Sequence, residues 1–153
     1  MSDAISSRSS SKEFTRKPGS VFSDYGYVGS RREAVANGTL IEVGNTRWEA
    51  GFKWPLAITR DVYDDLVKWD EADNDKVDTA MTEDLRLWNL VHGAAECVRT
   101  EERHTNRLSF DVYTVNANSE SFEETKHTVL VIGHPDDSGY PCLTIRYPIP
   151  ELN

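Results

Sequence analysis

Apolar positions along the chain keep helical spacing through the first two thirds and then shift to alternation. Val62, Tyr63, Leu66, Val67 and Trp69 recur at helical intervals after Thr59, a residue type suited to capping a helix. Asp61, Asp64, Asp65 and Lys68 fall on the opposite side, with Asp64 spaced to pair with Lys68. A longer helix is predicted over 82–100, opened by Thr82, Glu83 and Asp84, whose acids complement the positive end of the helix dipole. Its apolar residues Leu85, Leu87, Trp88, Leu90, Val91, Ala94, Ala95 and Val98 cover more than one face, so it is expected to be the most buried helix. His92, lying among them, reads as a core or boundary residue.

Upstream, "SRREAVANG" carries a capping box from Ser30 to Glu33, and Asn37-Gly38 closes that short helix. "TLIEV" reads as a short strand, and "NTRWEAG" as a helical turn. Pro55 then forces "WPLAI" to be extended, while Trp48, Phe52 and Trp54 read as core or rim packing. Downstream, "LSFDVYTV", "HTVLVIG" and "YPCLTIRYP" are predicted to form an antiparallel meander. The polar turn "HPDDSG" joins the last two, with His134, Asp136 and Asp137 expected to bond its backbone. The expected fold is a small single α+β domain over 21–153. In it about three to four helices pack on one face of an antiparallel sheet that ends in the C-terminal three-stranded meander. Residues 1–20, rich in serine and bearing Arg8, Lys12, Arg16 and Lys17, cannot bury enough apolar surface to offset ordering and are expected to be a disordered basic tail.

Composition narrows the function. The net charge is -9, and the run 61–78 holds eight carboxylates against two lysines. Direct nucleic-acid binding is not expected from such a balance, since phosphate contacts require clustered bases, and the tail with Arg31 and Arg32 would give only weak, salt-sensitive affinity. Acidity favours a partner with a basic surface. Cys97 and Cys142 are too few for a disulfide scaffold and read as buried, reduced thiols. No segment is apolar enough to span a bilayer, and a cytoplasmic location is expected.

The acidic run also raises a metal question, which its spacing answers. A calcium loop starting at Glu71 would use Glu71, Asp73 and Asp75, but the turn glycine is replaced by Lys76 and the closing glutamate by Thr82. Asp61, Asp64 and Asp65, set opposite an apolar stripe, lack the burial that separates the pKa values of a catalytic acid and base. The common hydrolase, phosphate-loop, dinucleotide and zinc signatures do not occur, and the four histidines have no ligand-like spacing. No metal, cofactor or catalytic residue is therefore expected.

The ordered series "REAVANGTLIEV", "EAGFKWPLAITRDVYDDLV", "RLWNLVHGA" and "HTVLVIGHPDDSGYPCLTIRYP" resembles a family of small bacterial, plasmid- and phage-borne proteins classed as a domain of unknown function. The matching segments run from Ala34 to Val43, Glu49 to Arg60, Arg86 to Asn89 and Val129 to Ile145; Asn89 stands where the family's helix motif usually has an acid. The resemblance implies carriage on mobile elements and no mechanism. The favoured expectation is a non-enzymatic interaction protein that binds and modulates a host defence or nucleic-acid-processing protein, as an anti-defence inhibitor would. Its surface would be Asp61, Asp64, Asp65, Asp70, Glu71, Asp73, Asp75 and Asp78. The alternative is a small enzyme with an anion-binding cleft around Arg47, Glu49, Lys53, Arg60 and Arg86, close to the tryptophans.

Overall fold

Residues 25–70, 72, 81–115 and 124–149 are described by the structure, a computed structural model, together with the main chain of two two-residue strands, Ser2–Asp3 and Ile5–Ser6. The expected tail otherwise lies outside the described residues. Helix α1 (Arg31–Ala36) begins where Ser30 Oγ accepts the Glu33 amide at 3.0 Å and Glu33 Oε1 accepts the Ser30 amide at 3.2 Å, the expected capping box. Strand β1 (Leu40–Glu42), helix α2 (Asn45–Ala50), strand β2 (Leu56–Thr59) and helix α3 (Arg60–Leu66) follow. Helix α4 (Glu83–Thr100) is capped by Thr82 Oγ1, which accepts the Leu85 amide at 3.0 Å. Strands β3 (Arg107–Thr114), β4 (Thr125–Pro135) and β5 (Pro141–Arg146) form the expected meander.

The five strands lie in the order β1-β2-β5-β4-β3. Leu108 and Ile145 both stand opposite Val131, in the two antiparallel pairs of the meander, and Leu40 stands opposite Thr59 in the antiparallel β1/β2 pair. The α+β class holds, but the β2/β5 pair is parallel, so the sheet is mixed. That follows from connection. β5 presents the free side of the meander to β2, and the intervening α3 and α4 return the chain far enough for a same-direction pairing.

Alternation then sorts the two faces. Leu56, Ile58, Leu143, Ile145, Val129 and Val131 meet Val62, Leu66, Leu90, Val91 and Ala94 in the main core. Ala57, between Leu56 and Ile58, points the other way, into a second cluster with Tyr27, Ala34 and Leu40. Helices were expected on one face; α1 covers the other. That second cover explains why Cys142, Thr144 and Arg146 are as buried as Leu143 and Ile145.

Helix α4 departs from expectation as well. Leu85, Trp88 and Val98 are 44%, 46% and 41% exposed, while Arg86 is buried. One face alone packs, closing on β3 at Gly93, where an added Cβ would stand 3.4 Å from the Phe110 ring. Among the described residues, no helix is long and apolar enough to cross a membrane.

Candidate functional site

Helix α3 carries the acidic face. Val62, Leu66 and Val67 are fully buried, and Asp61, Asp64 and Asp65 are exposed on the opposite side, as the spacing required. Their orientation is fixed by specific bonds. Asp61 Oδ1 accepts the Thr59 hydroxyl at 2.6 Å and the Val62 amide at 2.8 Å. Thr59 thus holds the cap position without a side-chain cap bond, because its hydroxyl is directed to Asp61. Asp65 Oδ2 accepts the Tyr147 hydroxyl at 2.8 Å, and burial together with this carboxylate pushes the phenol pKa of Tyr147 up.

Asp64 pairs with Arg60 at 3.4 Å and not with Lys68. The helix ends at Leu66, so Lys68 no longer occupies the position one turn beyond Asp64; its amide turns back to the Tyr63 carbonyl at 2.8 Å. The Tyr63 hydroxyl donates to Glu83 Oε2, joining α3 to α4, and burial followed by this carboxylate raises its pKa to about 12. Asp70 Oδ1 accepts the Ala72 amide at 3.1 Å. Glu71, Asp73, Asp75 and Asp78 lie outside the described residues.

The basic residues of the alternative cleft direct their donors to different neighbourhoods. Arg47 lies over the Trp48 ring at 4.2 Å and donates to the carbonyls of Lys53 and Trp54 at 3.1 and 3.2 Å. Arg60 donates to the Gly38 carbonyl at 2.9 Å. Arg86 is a core cross-link: it donates to the carbonyls of Val67, Asp65 and Val115 and to Thr114 Oγ1, over the Trp69 ring. Their hydrogen bonds given above go to separate acceptors, and the expectation that Arg86 lines an open cleft is corrected by its burial. Glu49 is exposed on α2.

A polar cluster that the spacing did not reveal lies on the second face of the sheet. Arg31 donates to Thr144 Oγ1 at 2.8 Å and to the Leu143 carbonyl at 2.9 Å, and Thr144 Oγ1 stands 2.7 Å from His134 Nε2. Since the Pro135 carbonyl, 2.9 Å from Nδ1, can only accept, the His134 proton sits on Nδ1, and Nε2 accepts the Thr144 hydroxyl, which in turn accepts from Arg31. Desolvation lowers the His134 pKa to about 4, and Tyr25 stacks on the ring with centroids 3.8 Å apart.

Cys142 Sγ is 3.6 and 3.7 Å from the two ring nitrogens. Near-equal distances to both place the sulfur along neither lone pair, and each nitrogen already has a partner. Burial raises the thiol pKa further, so the pair has no thiolate–imidazolium character. Asp137 completes the cluster by accepting the Arg31 and Arg32 amides at 2.8 and 2.9 Å, which pins α1 to the β4–β5 hairpin. Asp136 bonds the turn itself, accepting the Ser138 and Tyr140 amides, as expected. His134 belongs to β4 and the buried cluster, not to the turn.

Cys97, expected to be buried, is partly exposed; Cys142 is buried, and both are free. The His92 ring stacks on Trp88 at 4.0 Å, with Nε2 buried and without a hydrogen-bond partner among the described residues. An apolar groove of about 470 Å³ opens beside the end of α4, walled by Trp54, Val98, Leu108, Val131, Pro141 and Leu143. Among the described residues, no three or more His, Cys, Asp or Glu side chains are placed to hold a metal ion. Comparison with protein-family models, curated proteins and solved structures finds no match for this chain.

Proposed function

We propose that the protein is a non-enzymatic binding protein whose working surface is the acidic face of α3, and that its partner is a protein with a basic surface. The observation that carries this reading is the mounting of the carboxylates. Asp61 and Asp65 are each held by a hydroxyl donor, and the helix beneath them is anchored through Val62 and Leu66. Side chains ordered before contact lose little entropy on binding, and a one-sign surface speeds encounter with a basic partner and excludes acidic ones. Asp70 and the acids of the following run extend the charge along the sequence. A partner of this class includes the nucleic-acid-processing and defence proteins of a host, whose phosphate-binding surfaces are basic.

The catalytic alternative draws less support. Arg47 and Lys53 are close in the chain, but Arg86 is committed to the core, and the buried Cys142–His134 pair is held in neutral form. The surface reading is tested by elution from an immobilised arginine-rich peptide. The triple variant Asp61→Asn/Asp64→Asn/Asp65→Asn is compared with a control of equal net charge, Asp84→Asn/Glu96→Gln/Glu102→Gln. Earlier elution of the α3 variant is expected; elution of the two at the same salt concentration would show that net charge alone governs retention.

A further inference from the structure

Strand β3 forms one edge of the sheet over eight residues, whereas the opposite edge strand, β1, has three. The direction of its free backbone groups is fixed by the adjoining bonds. The Gly133 amide donates to the Asn106 carbonyl at 2.8 Å, so even-numbered residues of this stretch turn their main chain toward β4 and odd-numbered ones turn it outward. Among the described residues, the outward groups of Arg107 meet only Thr105 Oγ1, at 3.2 and 3.3 Å, and the Ser109 carbonyl meets only the Cys97 thiol at 3.6 Å. The outward amide and carbonyl of Asp111 have no bond among the described residues. Such an edge is a template for another strand.

We infer that β3 pairs antiparallel with β3 of a second copy, with Ser109 on the two-fold axis. This register places Arg107 opposite Asp111 of the second copy, and Asp111 opposite Arg107 of the second copy. Each facing pair exchanges two main-chain bonds, replacing the long contacts to Thr105 and Cys97. Charge complementarity selects both the occupant and the register. The Arg107 side chain makes no hydrogen bond or ion pair among the described residues, Asp111 is exposed with one carboxylate oxygen bonded to Thr128 at 2.7 Å, and both side chains lie on the same face of the sheet. Centring the pair on Phe110 would set Arg107 against Tyr113 and Ser109 against Asp111, with no opposite charges facing, and centring it on Asp111 would set the two Asp111 carboxylates against each other. The axis passes beside Cys97, whose thiol the incoming strand displaces from the Ser109 carbonyl and shields from solvent.

The test is sedimentation equilibrium of the full chain from micromolar to millimolar concentration, with the rate of Cys97 modification by a maleimide followed in parallel. The mass is expected to rise from one copy to two, with Cys97 modification slowing over the same range. Asp111→Arg and Arg107→Asp should each move the midpoint to about tenfold higher concentration or beyond, because like charges then face across the axis. An equimolar mixture of these two variants should recover the wild-type midpoint, since each copy then supplies the charge the other needs; that recovery also shows that both variants fold. A single-copy mass at every concentration would overturn the pairing, as would a two-copy mass indifferent to both substitutions.

Discussion

Tyr147, just beyond the end of β5, donates its hydroxyl to Asp65 Oδ2 at 2.8 Å across 82 positions of sequence, so the last strand and the acidic face of α3 are held together by one bond. Tyr63 makes the matching connection from α3 to Glu83 at the start of α4. Two neutral phenols therefore clamp the helix that carries Asp61, Asp64 and Asp65, and both are held protonated by burial and by their carboxylate partners.

Alkaline stability is expected to report those phenols. The Tyr63 pKa rises from 10.0 in the free side chain to about 12 in the fold, so the folded state keeps the proton that the unfolded chain releases. The stabilisation is complete below pH 10 and is lost as pH rises toward about 12. Urea unfolding across that window should show a fall that Tyr63→Phe reduces. Tyr147→Phe should lower stability at neutral pH by about 1 kcal/mol, the net contribution of one hydrogen bond.

His134 is expected to govern the acid side. Its folded pKa of about 4 lies below the ordinary 6.5, so the unfolded chain takes up the proton first. Stability is complete above pH 6.5 and falls as pH drops toward about 4, by at most on the order of 3 kcal/mol. His134→Gln should flatten this part of the profile in urea unfolding. An unchanged slope would mean that burial does not hold the imidazole neutral.

Arg86 is expected to matter for stability and not for binding. Arg86→Met leaves the carbonyls of Val67, Asp65 and Val115 without their guanidinium donor, and a loss of roughly 3–5 kcal/mol follows for a buried charged group of this kind. Arg86→Lys should recover only a fraction, because an ammonium cannot reach several separated acceptors at once. Chemical denaturation measures both.

Much of this architecture was legible in residue spacing, because local rules decide local elements. The capping box at Ser30, the left-handed glycine after Asn37, the strand after Pro55 and the apolar patterns of β3 to β5 each depend on neighbours a few positions away. Acid placement on α3 was legible for the same reason. Long-range pairing was not. Arg31 reaches Thr144 across 113 positions, and Asp137 caps α1 across 106; nothing near Arg31 in sequence distinguishes it from the exposed Arg32. Arg86 sits within an apolar stretch where a charged residue reads as exposed, yet Trp69 and the carbonyls at the end of α3 supply what a buried guanidinium needs. Leu85, Trp88 and Val98 read as core because helical spacing counts apolar residues without knowing that only one side of α4 meets the sheet.

Binding of a basic protein surface by the α3 face is measured by quantitative affinity capture from a cell lysate. The baits are the wild type, the Asp61→Asn/Asp64→Asn/Asp65→Asn variant and the control of equal net charge carrying Asp84→Asn/Glu96→Gln/Glu102→Gln. The expected result is a protein with a basic surface held by the wild type and the control and lost with the α3 variant. The same proteins recovered in the same amounts by all three baits would mean that the α3 face is not the binding surface.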